Sequence, residues 1–134
     1  MSDNNDAIIA LINAVIESDG VDEDTEHSTW STFSIVFEID EDGDVFSTYG
    51  YAYTAEGAWY AVSVTEPAVE ETFETYLSSL LKPDDIQPLK MLLQFSRTSG
   101  CYKTVLEYEN AERWQVTPEN IDRIVDELRP KFKL

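Results

Sequence analysis

Residues 1 to 81 contain no lysine or arginine, although the whole chain has nine. The same segment holds 18 of the 27 aspartates and glutamates, so its formal charge is −18 and the remaining residues sum to zero. An acidic field of this size repels nucleic acid and anionic membranes and attracts basic proteins. The sequence therefore predicts a basic protein partner and no direct contact with nucleic acid or a membrane.

Residues that carry chemistry are also scarce. Cys101 is the only cysteine and His27 the only histidine, which excludes an intramolecular disulfide and a site with two histidine ligands. The two residues are remote in sequence, and the five glycines are scattered singly rather than grouped in a phosphate-binding loop. Nothing singles out two of the many carboxylates as a hydrolytic pair. We predict a protein that is not an enzyme and that has no cofactor-binding or metal site.

Targeting signals are the third absence. Residues 1–16 have no basic region before the apolar stripe, and no run of 18 apolar residues occurs. A lone cysteine fits a reducing compartment, so the expected location is the cytoplasm. At 134 residues, with 43% hydrophobic and 12% aromatic residues, the chain can bury a core, and we predict one domain over residues 1–134.

The hydrophobic pattern predicts eight elements. Apolar residues recur at helical spacing over residues 8–16, 69–81 and 121–128, and Thr117 and Pro118 suit the start of the last helix. They alternate over residues 33–39, 45–53, 58–64, 89–95 and 102–108, whereas Val21 to Thr29 has neither period and is expected to be a loop. The predicted fold is α+β, in the order αβββαββα. It has an antiparallel sheet of about five strands with the helices packed on one face.

Two acidic clusters are candidates for partner binding. The first lies in the loop after the first helix and comprises Asp19, Asp22, Glu23, Asp24 and Glu26. The second is the predicted hairpin tip of Asp40, Asp42 and Asp44 around Gly43, which resembles the start of an EF-hand. With Gly43 at the sixth loop position, the twelfth would be Tyr49 rather than glutamate, and the flanks are strands. A solvated turn explains the second cluster better than calcium, and a solvated loop is the alternative for the first.

Aromatic residues crowd the first three strands. Tyr49, Tyr51 and Tyr53 lie on one face of the second strand, opposite Phe46, Thr48, Gly50 and Ala52, and Trp59 follows in the third. Aromatics commonly fill sheets and pair across strands. If the smaller face packs under the helices, however, the tyrosines and Trp59 form an exposed row that is typical of protein-binding sites.

The C-terminal part resembles a known family. Leu92 to Asn110, LLQFSRTSGCYKTVLEYEN, is similar to the late hairpin of YezG-like bacterial antitoxin or immunity proteins, with Glu107, Tyr108 and Glu109 at its end. The leading helix, the aromatic strand from Trp30 and the acidity also resemble cytoplasmic immunity proteins of contact-dependent growth inhibition and polymorphic toxin systems. The resemblance implies a non-enzymatic protein that neutralises a toxin, commonly a nuclease, by direct binding.

The resulting hypothesis is an immunity protein whose acidic surface covers the basic cleft of a nuclease toxin. A nuclease must present lysine and arginine to phosphates, so an acidic protein complements that site. One alternative is an acidic adaptor or a nucleic-acid mimic that binds a basic protein. Another is a halophilic domain, which would spread its acids over the whole surface.

Overall fold

The computed structural model describes residues 3–17, 30–64, 67–82 and 84–130. The predicted loop Val21 to Thr29 lies outside them. The helices are α1 (Asp3–Glu17), α2 (Pro67–Leu80) and α3 (Ile121–Leu128). The strands are β1 (Trp30–Ile39), β2 (Val45–Thr54), β3 (Trp59–Val62), β4 (Lys90–Ser96) and β5 (Tyr102–Glu107). The predicted order αβββαββα is confirmed.

The five strands form one open antiparallel sheet in the order β3-β2-β1-β4-β5. Three hairpins, β1–β2, β2–β3 and β4–β5, arise from short turns, and α2 crosses between β3 and β4 so that β4 pairs with β1. The predicted α+β class and antiparallel sheet are confirmed. β1 is the central strand, and all its odd-numbered residues from Phe33 to Ile39 are buried.

The first face of the sheet is covered by α1 and α2. The sheet contributes Phe33, Ile35, Phe37, Ala52, Met91 and Leu93 to this core, and the helices contribute Ile8, Leu11, Val15, Val69, Phe73 and Leu77. Phe37 stacks on Phe73 with a centroid separation of 4.8 Å. The helical spacing of these residues explains the two helices, since each must bury its apolar stripe against the sheet.

The second face carries α3, so the prediction that the helices pack on one face is wrong. A separate apolar cluster joins Val36, Tyr51, Tyr53 and Leu92 of the sheet to Trp114, Ile124, Val125 and Leu128. In β1, Val36 is apolar although it lies on the opposite face from Ile35 and Phe37. In β4, Leu92 is likewise apolar and lies on the opposite face from Met91 and Leu93. A sheet with apolar residues on both faces needs a cover on each.

The last helix also begins later than predicted. Residues 117–120 form a turn, in which the Asn120 side chain accepts a hydrogen bond from the backbone N–H of Thr117 at 2.8 Å. Asn120, rather than Thr117, precedes the first helical residue, Ile121. The helix ends at Leu128, two residues before Pro130, as the sequence predicts.

The close approach of β1 and β2 depends on Gly50. A Cβ atom at this position would lie 1.9 Å from the carbonyl oxygen of Ser34 and 2.9 Å from the Cα of Ile35. Both atoms belong to the backbone of the central strand and cannot rotate away. Glycine is therefore required where β2 crosses Ile35.

We expect Gly50→Ala to reduce the free energy of unfolding by about 3 kcal/mol or more, because the added methyl group must push two central strands apart. Urea unfolding monitored by tryptophan fluorescence measures the change. Ser47→Ala on the same strand is the control and should change the stability by only about 0.5 kcal/mol. An alanine variant as stable as the control would contradict the close approach.

Candidate functional site

The β1–β2 hairpin tip presents negative charge to solvent. Asp40 Oδ1 accepts the backbone N–H groups of Asp42 and Asp44, at 2.9 and 3.0 Å, and Gly43 adopts the positive φ of 87° that the turn requires. The predicted turn is thus confirmed. Asp42 and Asp44 are exposed, and the three carboxylates have oxygens within 4.8 Å of one another. Asp40 shapes the turn, while Asp42 and Asp44 present their carboxylates to solvent.

The first predicted acidic cluster falls outside the described part of the chain. Its members are Asp19, Asp22, Glu23, Asp24 and Glu26. Their role in partner binding therefore stays a prediction.

The negative surface of the hairpin tip continues onto α2. Glu70, Glu71 and Glu74 are exposed on this helix. Asp42 and Glu74 line one concavity of about 350 Å³ between the tip and the helix, together with Lys82, which follows the helix. Neither α1 nor α2 contains a lysine or arginine. We call Asp42, Asp44, Glu70, Glu71 and Glu74 the acidic face.

Four cations of the described chain lie over aromatic rings. The guanidinium carbon of Arg97 is 3.7 Å from the ring centroid of Trp30, and those of Arg113 and Arg129 are 4.5 and 4.6 Å from Trp114 and Tyr53. Lys90 Nζ is 5.6 Å from the Tyr49 centroid. These contacts hold the positive charges against rings of the sheet and of the segment after β5. None of the four cations lies on α1 or α2. The charges of Glu70, Glu71 and Glu74 are therefore not compensated by a cation of their own helix.

The predicted exposed aromatic row is wrong for two of its members. Tyr51 and Tyr53 are only 4% and 1% exposed, because α3 and Trp114 cover their face of the sheet. Tyr49 is half-buried, and Trp59 alone is exposed, at 40%. Trp59 meets Tyr51 edge to face with a centroid separation of 5.2 Å. The row does not form a continuous binding surface.

The polar groups on the covered face hold the C-terminal segment instead. Tyr53 donates its hydroxyl hydrogen to the carbonyl oxygen of Val125 at 2.8 Å. Ser34 and Gln94 both donate to the carbonyl of Leu128, the latter at 2.9 Å. The last carbonyls of a helix have no partner within the helix, and here the sheet supplies their donors.

A second set of donors holds the segment before α3. Tyr49 donates to the carbonyl oxygen of Trp114 at 2.9 Å, and Lys90 donates to that of Arg113 at 3.0 Å. Burial and the nearby Glu38 carboxylate raise the pKa of Tyr49, and burial raises that of Tyr53. Both hydroxyls therefore remain protonated and able to donate near neutral pH. Trp114 has a φ of 65°, a conformation that costs a non-glycine residue energy and that these contacts hold.

A cleft of about 500 Å³ opens beside this second set of contacts. The side chains that line it include Glu38, Tyr51, Trp59, Gln115 and Ile121. At its inner end, buried Lys90 Nζ lies 3.4 Å from Glu38 Oε2 and donates to the Tyr49 hydroxyl at 3.2 Å. Such a volume, with apolar walls and a few polar groups, is typical of small-ligand sites.

Glu107 organises the loop that forms the far wall of the cleft. Its Oε2 accepts the backbone N–H groups of Glu109 and Asn110, both at 2.9 Å, and its Oε1 pairs with Arg113 Nη1 at 2.7 Å. The Arg113 guanidinium and the two N–H groups lower the pKa of Glu107 to about 2. The carboxylate thereby connects the end of β5 to the residue preceding Trp114.

Sequence analysis missed Glu38, Lys90, Gln94 and Trp114. Lys90 and Gln94 alternate with Met91 and Leu93, a pattern that typically indicates solvent-facing positions. Leu92 lies between Lys90 and Gln94 on the same face of β4, and a leucine is not expected at a solvent-facing position. An apolar residue there indicates that the face is covered.

Comparisons of the chain with protein-family models, with curated proteins and with solved structures found no match. None of the helices described in the structure is both long enough and apolar enough to cross a membrane.

We expect Tyr53→Ala to cost about 3 to 5 kcal/mol of folding free energy, because it leaves a cavity under α3 and removes a donor from the Val125 carbonyl. Trp59→Ala should cost only about 1 kcal/mol, since the indole is partly exposed and mainly contacts Tyr51. Chemical denaturation of the two variants measures both values. Equal losses would contradict the different burial of the two rings.

The depressed pKa of Glu107 gives a pH prediction. Its folded-state value of about 2 lies below its ordinary value of 4.5, so its contribution to stability is present above 4.5 and disappears as the pH falls towards 2. The stability difference between the wild type and Glu107→Gln should narrow over this window in denaturation experiments. Glu109→Gln, from the same loop, is the control. A difference between wild type and Glu107→Gln that is independent of pH would contradict the assignment.

Proposed function

We propose that this protein is a bacterial immunity protein that binds and neutralises a basic toxin in the cytoplasm. The toxin class that fits best is a nuclease, because its active site must present lysine and arginine to phosphate groups. The protein itself acts without catalysis and without a cofactor. The observation that carries the proposal is the acidic face, whose three glutamates lie on a helix without lysine or arginine.

The geometry supports a role for this face in steering the partner. Glu70, Glu71 and Glu74 lie within two turns of α2, and Asp42 lines the same concavity as Glu74 and Lys82. The five acids of the acidic face outnumber this lysine, and a surface with an excess of one sign of charge raises the association rate of an oppositely charged partner about 10- to 1000-fold. Fast capture is what an inhibitor of a toxin inside the cell needs. The resemblance of the β4–β5 hairpin to YezG-like immunity proteins points to the same function.

The alternative partner is a DNA-binding regulator, toward which the chain would act as an acidic adaptor or nucleic-acid mimic. The same acidic face favours this class, because it presents carboxylates where such a regulator expects phosphates. The two functions differ in outcome. An immunity protein abolishes the nuclease activity of its partner, whereas a mimic displaces DNA from a partner that does not cleave it.

The proposal predicts that charge position matters, not net charge alone. Neutralising the acidic face by D42N, D44N, E70Q, E71Q and E74Q should slow association with the cognate nuclease toxin by about tenfold or more at low salt. The salt dependence of the rate should flatten, because fewer charges steer the encounter. Stopped-flow mixing at several ionic strengths measures both effects, and inhibition of DNA or RNA cleavage provides the functional readout.

The matched control removes five exposed acids that belong neither to the acidic face nor to the lining of the 500 Å³ cleft, by E56Q, E109Q, E119Q, D126N and E127Q. Both variants have the same net charge, so a field that acts only through total charge would slow them equally. Equal slowing, or an unchanged salt slope in the acidic-face variant, would contradict the proposal. Displacement of DNA without inhibition of cleavage would favour the mimic.

A further inference from the structure

In the cleft beside Lys90, the carboxylate of Glu38 is accessible to solvent, whereas the ammonium group of Lys90 is buried. Lys90 is 3% exposed, and its ammonium group contacts Tyr49, the Arg113 carbonyl and Glu38. Lys90 makes two hydrogen bonds and one ion pair, so its charge is already compensated and only a small part of the residue is accessible to an incoming anion. The Glu38 side chain is 26% exposed, and the contact with Lys90 involves only its Oε2. The accessible charge in the cleft is therefore the second oxygen of a carboxylate.

The walls of the cleft suit a flat cation. Trp59 is 40% exposed and lines the cleft together with Tyr51, which it meets at an interplanar angle of 87°. Among the residues that the structure describes, the Tyr51 hydroxyl has no hydrogen-bond partner, so its oxygen is available as an acceptor. Planar guanidinium groups bind aromatic faces and carboxylates together, whereas an ammonium group is more strongly hydrated. Three arginines of this chain already lie over aromatic rings in this way.

We propose that this cleft is a receptor for an arginine side chain of the protein partner. The guanidinium pairs with the open oxygen of Glu38, and its plane lies against Trp59. The aliphatic stem contacts Val116 and Ile121, which line the same cleft. Glu38 lies on β1, two residues before Asp40 of the hairpin tip. The net negative charge of the chain adds to the preference for a cation.

The inference rests on the proposed function only for the identity of the protein that supplies the arginine. The cleft itself can be tested without that partner. A failure of the cleft therefore leaves the steering role of the acidic face untouched, and a failure of the acidic face leaves the cleft result standing.

The probe is Nα-acetyl-arginine-N-methylamide, titrated into the ¹⁵N-labelled chain and followed by heteronuclear NMR. The expected result is a saturable shift of the Trp59 indole N–H and of the amides of Gly50 and Ala61, which line the cleft. The corresponding citrulline compound is the matched probe, because it has nearly the same shape without the charge. It should bind about tenfold more weakly.

Two variants test the two contacts separately. Glu38→Gln should weaken arginine binding about tenfold, and Trp59→Leu about fivefold, with Gly50 and Ala61 as the reporters in the second case. Trp59→Leu changes a partly exposed residue, so the test remains available if Glu38→Gln disturbs the fold. Glu56→Gln removes an exposed acid outside the cleft and should leave the affinity unchanged.

Three outcomes would overturn the inference. The first is equal affinity for the citrulline probe, which would make the cleft an apolar site. The second is a set of shifts spread over the acidic face rather than around Trp59. The third is an unchanged affinity in a folded Glu38→Gln or Trp59→Leu variant.

Discussion

The structure depends on a set of hydrogen bonds that run from side chains of the sheet to backbone carbonyls of the C-terminal segment. Tyr49 and Lys90 hold the carbonyls of Trp114 and Arg113, and Tyr53, Ser34 and Gln94 hold those at the end of α3. Each buried bond contributes about 1 kcal/mol, but a donor left without a partner in this interface costs more. These hydrogen bonds therefore fix the position in which the C-terminal segment packs on the sheet.

This docking decides where the charges of the molecule lie. Arg113 and Arg129 accompany the C-terminal segment onto aromatic rings of the second face, and Lys90 is buried beneath it. The α1–α2 layer has no cation in either helix. Lys90, Arg113 and Arg129 therefore lie on the second side of the sheet, whereas the helices on the first side carry acids and no cation. The cleft forms between the docked segment and the sheet.

Period and turn chemistry were enough to predict the order of the elements, since Phe33, Ile35 and Phe37 alternate and Phe73 and Leu77 repeat at helical spacing. They did not identify the face that α3 covers. A tyrosine can face solvent or donate a buried hydrogen bond, and the sequence of β2 is the same in either case.

Lys90 shows the same limit, because a lysine on a strand is usually solvated unless acceptors from distant residues such as Arg113 and Glu38 surround it. The exposure of Asp42 and Asp44 was predictable because a tight turn cannot bury them.

Native-state hydrogen exchange tests most directly whether the C-terminal segment is part of the fold or a cover that opens. If the docking holds as described, the amides of Ile124, Val125 and Leu128 exchange with the same free energy as those of Ile35 and Val36 in the central strand, through global unfolding. Exchange of the α3 amides at a much lower free energy, while β1 stays protected, would contradict the account. It would show that α3 detaches locally and leaves Tyr51 and Tyr53 open to a partner.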